Sequence, residues 1–220
     1  MKISKIESPF PAISIDNFIP STALVRAAAE SFNDFKEEEW VKYSGSNGQI
    51  QYCSKVPRKS TPAALVVLDY IATFFDPNTA FNNLTLNAFP DMTHYGGGMM
   101  LTPNISGEGG YLGMHVDADV HGIHKHWKRE YSAILCISEE YDKSFDLLVH
   151  DGNKSHNRLP YKFNRLNVFK CSENSWHGLP EITPGFERKT LGVIYWKKMS
   201  DSEILKARVK AKFNNGLEFK

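Results

Sequence analysis

From Leu84 onward the chain breaks into short β-like runs separated by Gly, Pro and Asn, and this texture limits the fold more than any other feature. Candidate strands run over Leu84 to Phe89, Met99 to Thr102, Tyr111 to Asp117, Tyr131 to Ile137, Phe145 to His150, Leu166 to Phe169 and Lys189 to Trp196. Helical patterns come first. Ile13-Ser14-Ile15-Asp16-Asn17-Phe18-Ile19-Pro20 alternates and stops at Asn/Pro, which predicts an opening strand. Ser21 can cap a helix whose Leu24, Val25, Ala28, Phe32 and Phe35 share one buried face. Trp40 to Tyr43 and Ile50 to Cys53 are spaced to pair as a hairpin across Gly45-Ser46-Asn47-Gly48. Pro62 lies near the start of a second helix, with Leu65, Val66, Leu68, Ile71 and Phe75 inward and Asp76-Pro77 at its end. Asp201 to Phe213 reads as a terminal helix with Ile204, Leu205 and Val209 inward. Helices followed by many short strands predict an α+β fold with a sandwich or jelly-roll core. No internal repeat or linker interrupts the chain. The expectation is one domain over 1–220: helix-rich support over 1–83, a jelly-roll core over 84–198 and a C-terminal helix over 199–220.

The most informative stretch of that core is Gly109-Gly110-Tyr111-Leu112-Gly113-Met114-His115-Val116-Asp117-Ala118-Asp119. On an extended strand, His115 and Asp117 leave by the same face and offer an imidazole nitrogen beside a carboxylate oxygen. A third donor is available at His177, in Asn174-Ser175-Trp176-His177-Gly178-Leu179-Pro180. Two His and one carboxylate on one face of an octahedral ion form the facial triad of non-haem Fe(II) oxygenases, which leaves three positions open. Asp119 is also in phase with the strand and competes for the carboxylate role, but the immediate His-x-Asp spacing favours Asp117. Beyond His177 come Arg188 and Thr190, a cation and a hydroxyl two residues apart that could jointly hold a carboxylate. A lone His-x-Asp carries little weight in a chain with 8 His; the later Arg-x-Thr gives it meaning.

In order and spacing, the His-x-Asp, the distant His and the Arg-x-Thr resemble the Fe(II)/2-oxoglutarate-dependent oxygenases, most closely their prolyl-4-hydroxylase-like branch. The resemblance extends over most of the chain and is tightest between Gly109 and Trp196. It implies a double-stranded β-helix (jelly-roll, cupin-like) core with N-terminal helices packed on one sheet. It also implies Fe(II) at His115, Asp117 and His177, with 2-oxoglutarate at Arg188 and Thr190, Trp196 as a wall of that pocket, and ascorbate as reductant. The implied reaction is hydroxylation of an unactivated C–H bond by dioxygen. Peptidyl proline is the first substrate suggested; a free amino acid, a nucleotide and a nucleic-acid base stay open. In related halogenases chloride replaces the acid, so Asp117 favours hydroxylation. By spacing, the tyrosine that animal-type prolyl hydroxylases use on the third core strand falls at Cys136, and Thr190 would take its duty.

Other readings stand beside this one. A non-catalytic cupin-like metal protein needs no carboxylate anchor, so Arg188 and Thr190 argue against it. A 2-oxoglutarate sensor would bind without turnover. Arg188 could otherwise form a surface ion pair with Glu187 or Glu181, and Trp196 could be a core tryptophan. His121, His124 and His126 read as a polar loop over the site's mouth rather than a second metal site, and His150-Asp151-Gly152 lacks partners at family offsets.

Composition sets the remaining bounds. A chain of 220 residues, 41% hydrophobic, can build one buried core. Lys+Arg 26 against Asp+Glu 25 gives a net charge of +1, no global footprint for nucleic acid. Three cysteines without CxxC spacing predict a reducing, cytoplasmic setting. No apolar run approaches membrane-spanning length, and the N-terminus lacks a signal-like segment.

Overall fold

A computed structural model describes residues 1–43, 51–54, 63, 66–67, 70–71, 100–117, 126–150 and 156–207. Among the described residues, twelve strands build two antiparallel sheets. In chain order they are β1 (Lys2–Ile6), β2 (Ala12–Asp16), β3 (Trp40–Tyr43), β4 (Gln51–Ser54), β5 (Met100–Ser106), β6 (Leu112–His115), β7 (Trp127–Cys136), β8 (Leu147–His150), β9 (His156–Leu159), β10 (Leu166–Lys170), β11 (Trp176–Leu179) and β12 (Arg188–Lys198). The larger sheet has the order β1-β2-β10-β7-β12-β5-β4-β3, and the smaller the order β6-β11-β8-β9. Together they form the double-stranded β-helix of an α+β protein.

Period-two alternation assigns each face of the larger sheet a separate task. Ile13, Ile15, Tyr131, Ala133, Leu135, Leu166, Val168, Leu191, Val193 and Tyr195 join an outer core with Val25, Ala28 and Phe32. Val25 and Ala28 belong to α1 (Thr22–Glu30), whose N-terminus is capped by Ser21 Oγ accepting from the Leu24 N–H at 3.3 Å. Leu24 and Phe35 pack at the edge of this layer. A buried Leu, Ile or Phe side chain contributes about 1.5–3 kcal/mol, so this layer alone is a large source of stability. Residues of the opposite phase, such as Ile134 and Phe169, turn toward the smaller sheet and pack with Leu147, Val149 and Leu159.

Expectation and structure differ at several elements. The hairpin of β3 and β4 forms, while its turn lies outside the described residues. In the second helical segment Val67 and Ile71 are buried, four residues apart on one stripe with Ala63, whereas Val66 is 52% exposed; Leu65, Leu68 and Phe75 lie outside the described residues. Residues 201–207 are helical and start at a capping box, Ser200 N–H to Glu203 Oε2 at 2.8 Å and Glu203 N–H to Ser200 Oγ at 3.4 Å. Ile204 is half-buried there with its neighbours Glu203 and Ala207, but Leu205 is 64% exposed, off that side of the helix. Strands β1, β9 and β11 were not anticipated, and the expected strand over Leu84 to Phe89 lies outside the described residues. No helix among the described residues is long and apolar enough to cross a membrane.

Candidate metal centre

Strands β6 and β11 are neighbours, and their register sets His115 directly opposite His177. The two rings lie 4.3 Å apart. Each Nδ1 meets a carbonyl two residues back on its own chain: His115 the oxygen of Gly113 at 2.9 Å, His177 that of Ser175 at 3.0 Å. A carbonyl can only accept, so each Nδ1 carries the proton and each Nε2 presents a lone pair. Those lone pairs face Asp117. His115 Nε2 is 3.5 Å from Oδ1 and His177 Nε2 is 3.5 Å from Oδ2. One donor atom from each of the three residues lies within 4.8 Å of the others, an arrangement that could hold a metal ion. β6 ends at His115, so Asp117 reaches the site from just beyond the strand. The donor set, two tautomer-fixed imidazoles and a carboxylate, fits a borderline divalent ion.

The electrostatics keep the carboxylate charged. Burial alone would push the Asp117 carboxyl up, but without a metal each imidazole can take a second proton at Nε2 and donate it to the carboxylate, and these two hydrogen bonds with the charge of Arg129 hold it well below the usual carboxylate range. Ser132 Oγ donates to Oδ2 at 2.9 Å, and Arg129 forms an ion pair with Oδ1. For His115, burial works against protonation, yet Asp117 and the Gly113 carbonyl leave its pKa raised.

A cavity of about 270 Å³ opens beside these residues and runs to the start of β12, where it is lined by Arg188, Thr190, Asn104 and Ser106. Arg188 is 6% exposed, its Nε donates to the Phe145 carbonyl at 3.0 Å, and its guanidinium lies 5.5 Å from the Tyr161 ring centre. Among the described residues it makes no ion pair, with Glu187, Glu181 or any other acid. Glu187 instead pairs with Lys189 at 3.1 Å. A buried, charged guanidinium beside a hydroxyl and facing a cavity is a place for an anion. Cys136 lies across from Thr190 in the β7–β12 register, is buried, and has its thiol pushed up to about 11 by that burial. A neutral thiol there donates weakly, so the hydroxyl of Thr190 is the stronger donor of the pair.

Residues 93–196 match the sequence profile of the 2OG-Fe(II) oxygenase superfamily. Over that span, a little under half of its length, the chain is similar to that superfamily. It is a 2-oxoglutarate-dependent dioxygenase, and the family uses Fe(II), 2-oxoglutarate and dioxygen. No curated protein matches the oxygenase by sequence. Among solved structures, a Pseudomonas putida prolyl-4-hydroxylase superposes with a TM-score of 0.62 at 15% identity, over 86% of this chain and 92% of that one. A Trichoplax adhaerens prolyl hydroxylase in complex with a hypoxia inducible factor oxygen degradation domain peptide fragment gives 0.61 at 12% identity, over 84% and 82%. The non-heme alpha ketoglutarate dependent epimerase SnoN from nogalamycin biosynthesis gives 0.58 at 11%, over 86% and 80%. At such identities these likenesses speak for the fold.

Within the oxygenase, the structure brings together His115, Asp117 and His177 and sets Arg188 and Thr190 on the same cavity. Trp196 is the exception. It shares the inward phase of β12 but is not among the residues lining the cavity; Arg129 lines it instead, its guanidinium 5.7 Å from the Trp196 ring centre. Asp119, His121 and His124 lie outside the described residues, and His126 is exposed in a turn. His150 stacks on Trp176 at 5.8 Å. Ser132, Arg129, Ser106 and Tyr161 also border these groups and belong to none of the motifs. Ser132 is legible by pattern, since it alternates with Ile134 on an expected strand; the other three depend on pairings between distant strands.

Proposed function

We propose that the oxygenase hydroxylates an unactivated C–H bond, with peptidyl proline as the first substrate to test. The observation that carries this reading is a buried guanidinium and a tautomer-fixed His/Asp/His group sharing one cavity. His115, Asp117 and His177 hold Fe(II). Arg188 takes the far carboxylate of 2-oxoglutarate by charge-assisted hydrogen bonds, and Thr190 adds a neutral one. When bound, Fe(II) lets dioxygen oxidise 2-oxoglutarate to succinate and carbon dioxide while the second oxygen atom goes to the substrate. Phe169, Leu112, Leu147 and Ile134 line the same cavity and give it an apolar wall. Asp117 stays ionised and so retains its place in the donor set, where a halogenase needs a vacancy for chloride.

Peptidyl proline is supported by the fold likeness to prolyl hydroxylases, one of them with a peptide bound. The free thiols of Cys136 and Cys171 support a reducing, cytoplasmic setting, and ascorbate is the reductant to supply in the assay. The test is a screen of proline-containing peptides, free amino acids and nucleotides that follows succinate release with Fe(II) and ascorbate. Under oxygen-18 gas, one heavy atom should enter the product and one the succinate. A chlorinated product in high chloride would sink the hydroxylase reading, and Fe(II)-loaded protein that binds 2-oxoglutarate but never turns it over would make it a sensor.

A further inference from the structure

Strand β7 breaks its own alternation at one place. Tyr131, Ala133 and Leu135 enter the outer core, while Ser132 and Ile134 face the cavity. Strict alternation would send Arg129 outward with Tyr131. The register with β12 instead steps from Tyr131 opposite Tyr195 to Arg129 opposite Trp196, so Glu130 is an extra residue, a β-bulge. The bulge turns Arg129 onto the cavity face, against Asp117 Oδ1 on one side and Trp196 on the other. Glu130 itself is 3% exposed, and a buried carboxylate is costly unless paired. Three lysines on three adjacent strands compensate it: Lys128 at 3.4 Å, Lys197 at 3.8 Å and Lys170 at 3.9 Å. The residue that rotates Arg129 inward is therefore anchored from β7, β12 and β10 at once.

Both oxygens of Asp117 are thus gripped from β7, Oδ1 by the Arg129 guanidinium and Oδ2 by the Ser132 hydroxyl. The number of oxygens a carboxylate gives to a metal matters here. Three protein donors on an octahedral ion leave three positions, enough for a two-toothed 2-oxo acid and dioxygen. A two-toothed Asp117 would leave only two. We propose that Arg129 is a positioning residue that keeps Asp117 one-toothed, holding Oδ1 so that Oδ2 alone faces the metal. The inference rests on the reading of His115, Asp117 and His177 as the metal-binding group. A planar guanidinium suits this duty because its charge and fixed fork direct a hydrogen bond that the metal cannot easily displace.

Co(II), which does not consume 2-oxoglutarate, serves as the probe. A crystal structure of the Co(II)-loaded wild-type protein should show one Asp117 oxygen on the metal and the other on Arg129. Titration of 2-oxoglutarate into the Co(II) protein, followed by visible ligand-field absorption, gives the second readout. Arg129→Gln should bind Co(II) at least as tightly as wild type but need about tenfold more 2-oxoglutarate or above, the scale of one lost charge-assisted hydrogen bond. Arg129→Lys, which keeps the charge and one donor, should stay within about threefold. A two-toothed Asp117 in the wild-type structure, or an Arg129 that has left it, overturns the proposal, as does an Arg129→Gln protein with unchanged absorption and 2-oxoglutarate affinity. The wild-type structure decides the matter even where Arg129→Gln fails to fold. A wild-type protein that binds no Co(II) at His115 and His177 overturns the metal-site reading, and with it this inference.

Discussion

His115 and His177 contribute to a site rather than to the core, since the outer apolar layer that supports the sheets contains neither. His115→Ala, Asp117→Ala and His177→Ala should each lose Fe(II) binding and turnover while keeping a near-native far-ultraviolet circular dichroism spectrum. Full turnover by Asp117→Ala with loss in Asp119→Ala would move the carboxylate role to Asp119. At the other end of the cavity, a neutral hydrogen bond contributes about 0.5–1.5 kcal/mol and one to a charged group about 1.5–3 kcal/mol. Thr190→Val should therefore raise the KM for 2-oxoglutarate by about tenfold or less, and Arg188→Gln by more. A larger effect from Cys136→Ala would show that Thr190 does not carry the tyrosine's duty. These residues are legible because local spacing encodes them: His-x-Asp and Arg-x-Thr are each three residues long, although only Arg-x-Thr lies wholly on a strand. Arg129 is not, because the bulge that aims it appears only when β7 is paired with β12.

Among the elements, β11 places the most demanding constraint. A Cβ on Gly178 would stand 2.7 Å from the Leu112 carbonyl oxygen and 2.8 Å from Met114 Sδ. The methionine can move aside, but the backbone of β6 cannot without shifting His115. Gly178→Ala should cost about 1–3 kcal/mol of stability by overpacking and weaken Co(II) binding by parting the two imidazoles. Thermal denaturation and metal titration check both, and an unchanged metal affinity would mean that β6 and β11 adapt without moving their histidines. The same glycine helps explain why β11 escaped prediction: Trp176-His177-Gly178-Leu179 is four residues long and does not alternate cleanly. β9, His156-Asn157-Arg158-Leu159, is mostly polar, and pairing with β8 makes it a strand. Longer, apolar β7, β10 and β12 were recognised because burial on one or both faces writes itself into composition.

For the molecule as a whole, the outer layer and the site are stabilised by separate means, and the response of the fold to acid can be measured by denaturation apart from the state of the ligands. At the end of β2, Asp16 accepts from Arg165 Nε at 2.6 Å and from Lys162 at 3.1 Å, linking that strand to the turn before β10. The Arg165 hydrogen bond in particular holds the Asp16 carboxyl below its usual value against a burial that would raise it. A depressed carboxyl pKa stabilises the fold fully above the unfolded-state value, about 3.9, and that share is lost as pH falls through the folded-state value. Asp16→Asn should thus lower stability by about 1 kcal/mol or less at pH 7, with the gap to wild type closing below about pH 4. Urea denaturation at pH 7 and pH 3 measures this; a gap that widens in acid would reverse the assigned sign. The α+β class, the jelly roll and the inward faces were readable from the order and period of apolar residues. Sheet order was not, since β10 lies between β2 and β7 through contacts that no local pattern records.

The bond that each imidazole makes to a carbonyl of its own chain has a consequence for inheritance and for engineering. Because His115 and His177 are held at Nδ1 by main-chain atoms two residues away, that hydrogen bond survives a change of side chain at the residue whose carbonyl accepts it. The nitrogen half of the site is a self-contained cassette of two short strands, portable to any scaffold that can set β6 beside β11 in this register. The carboxylate half is the opposite, dependent on Arg129, Ser132 and a misaligned strand. Sequence drift among descendants of this chain should therefore alter the acid's surroundings first, and a designer who copied only the three ligands would reproduce the histidines and lose the aspartate.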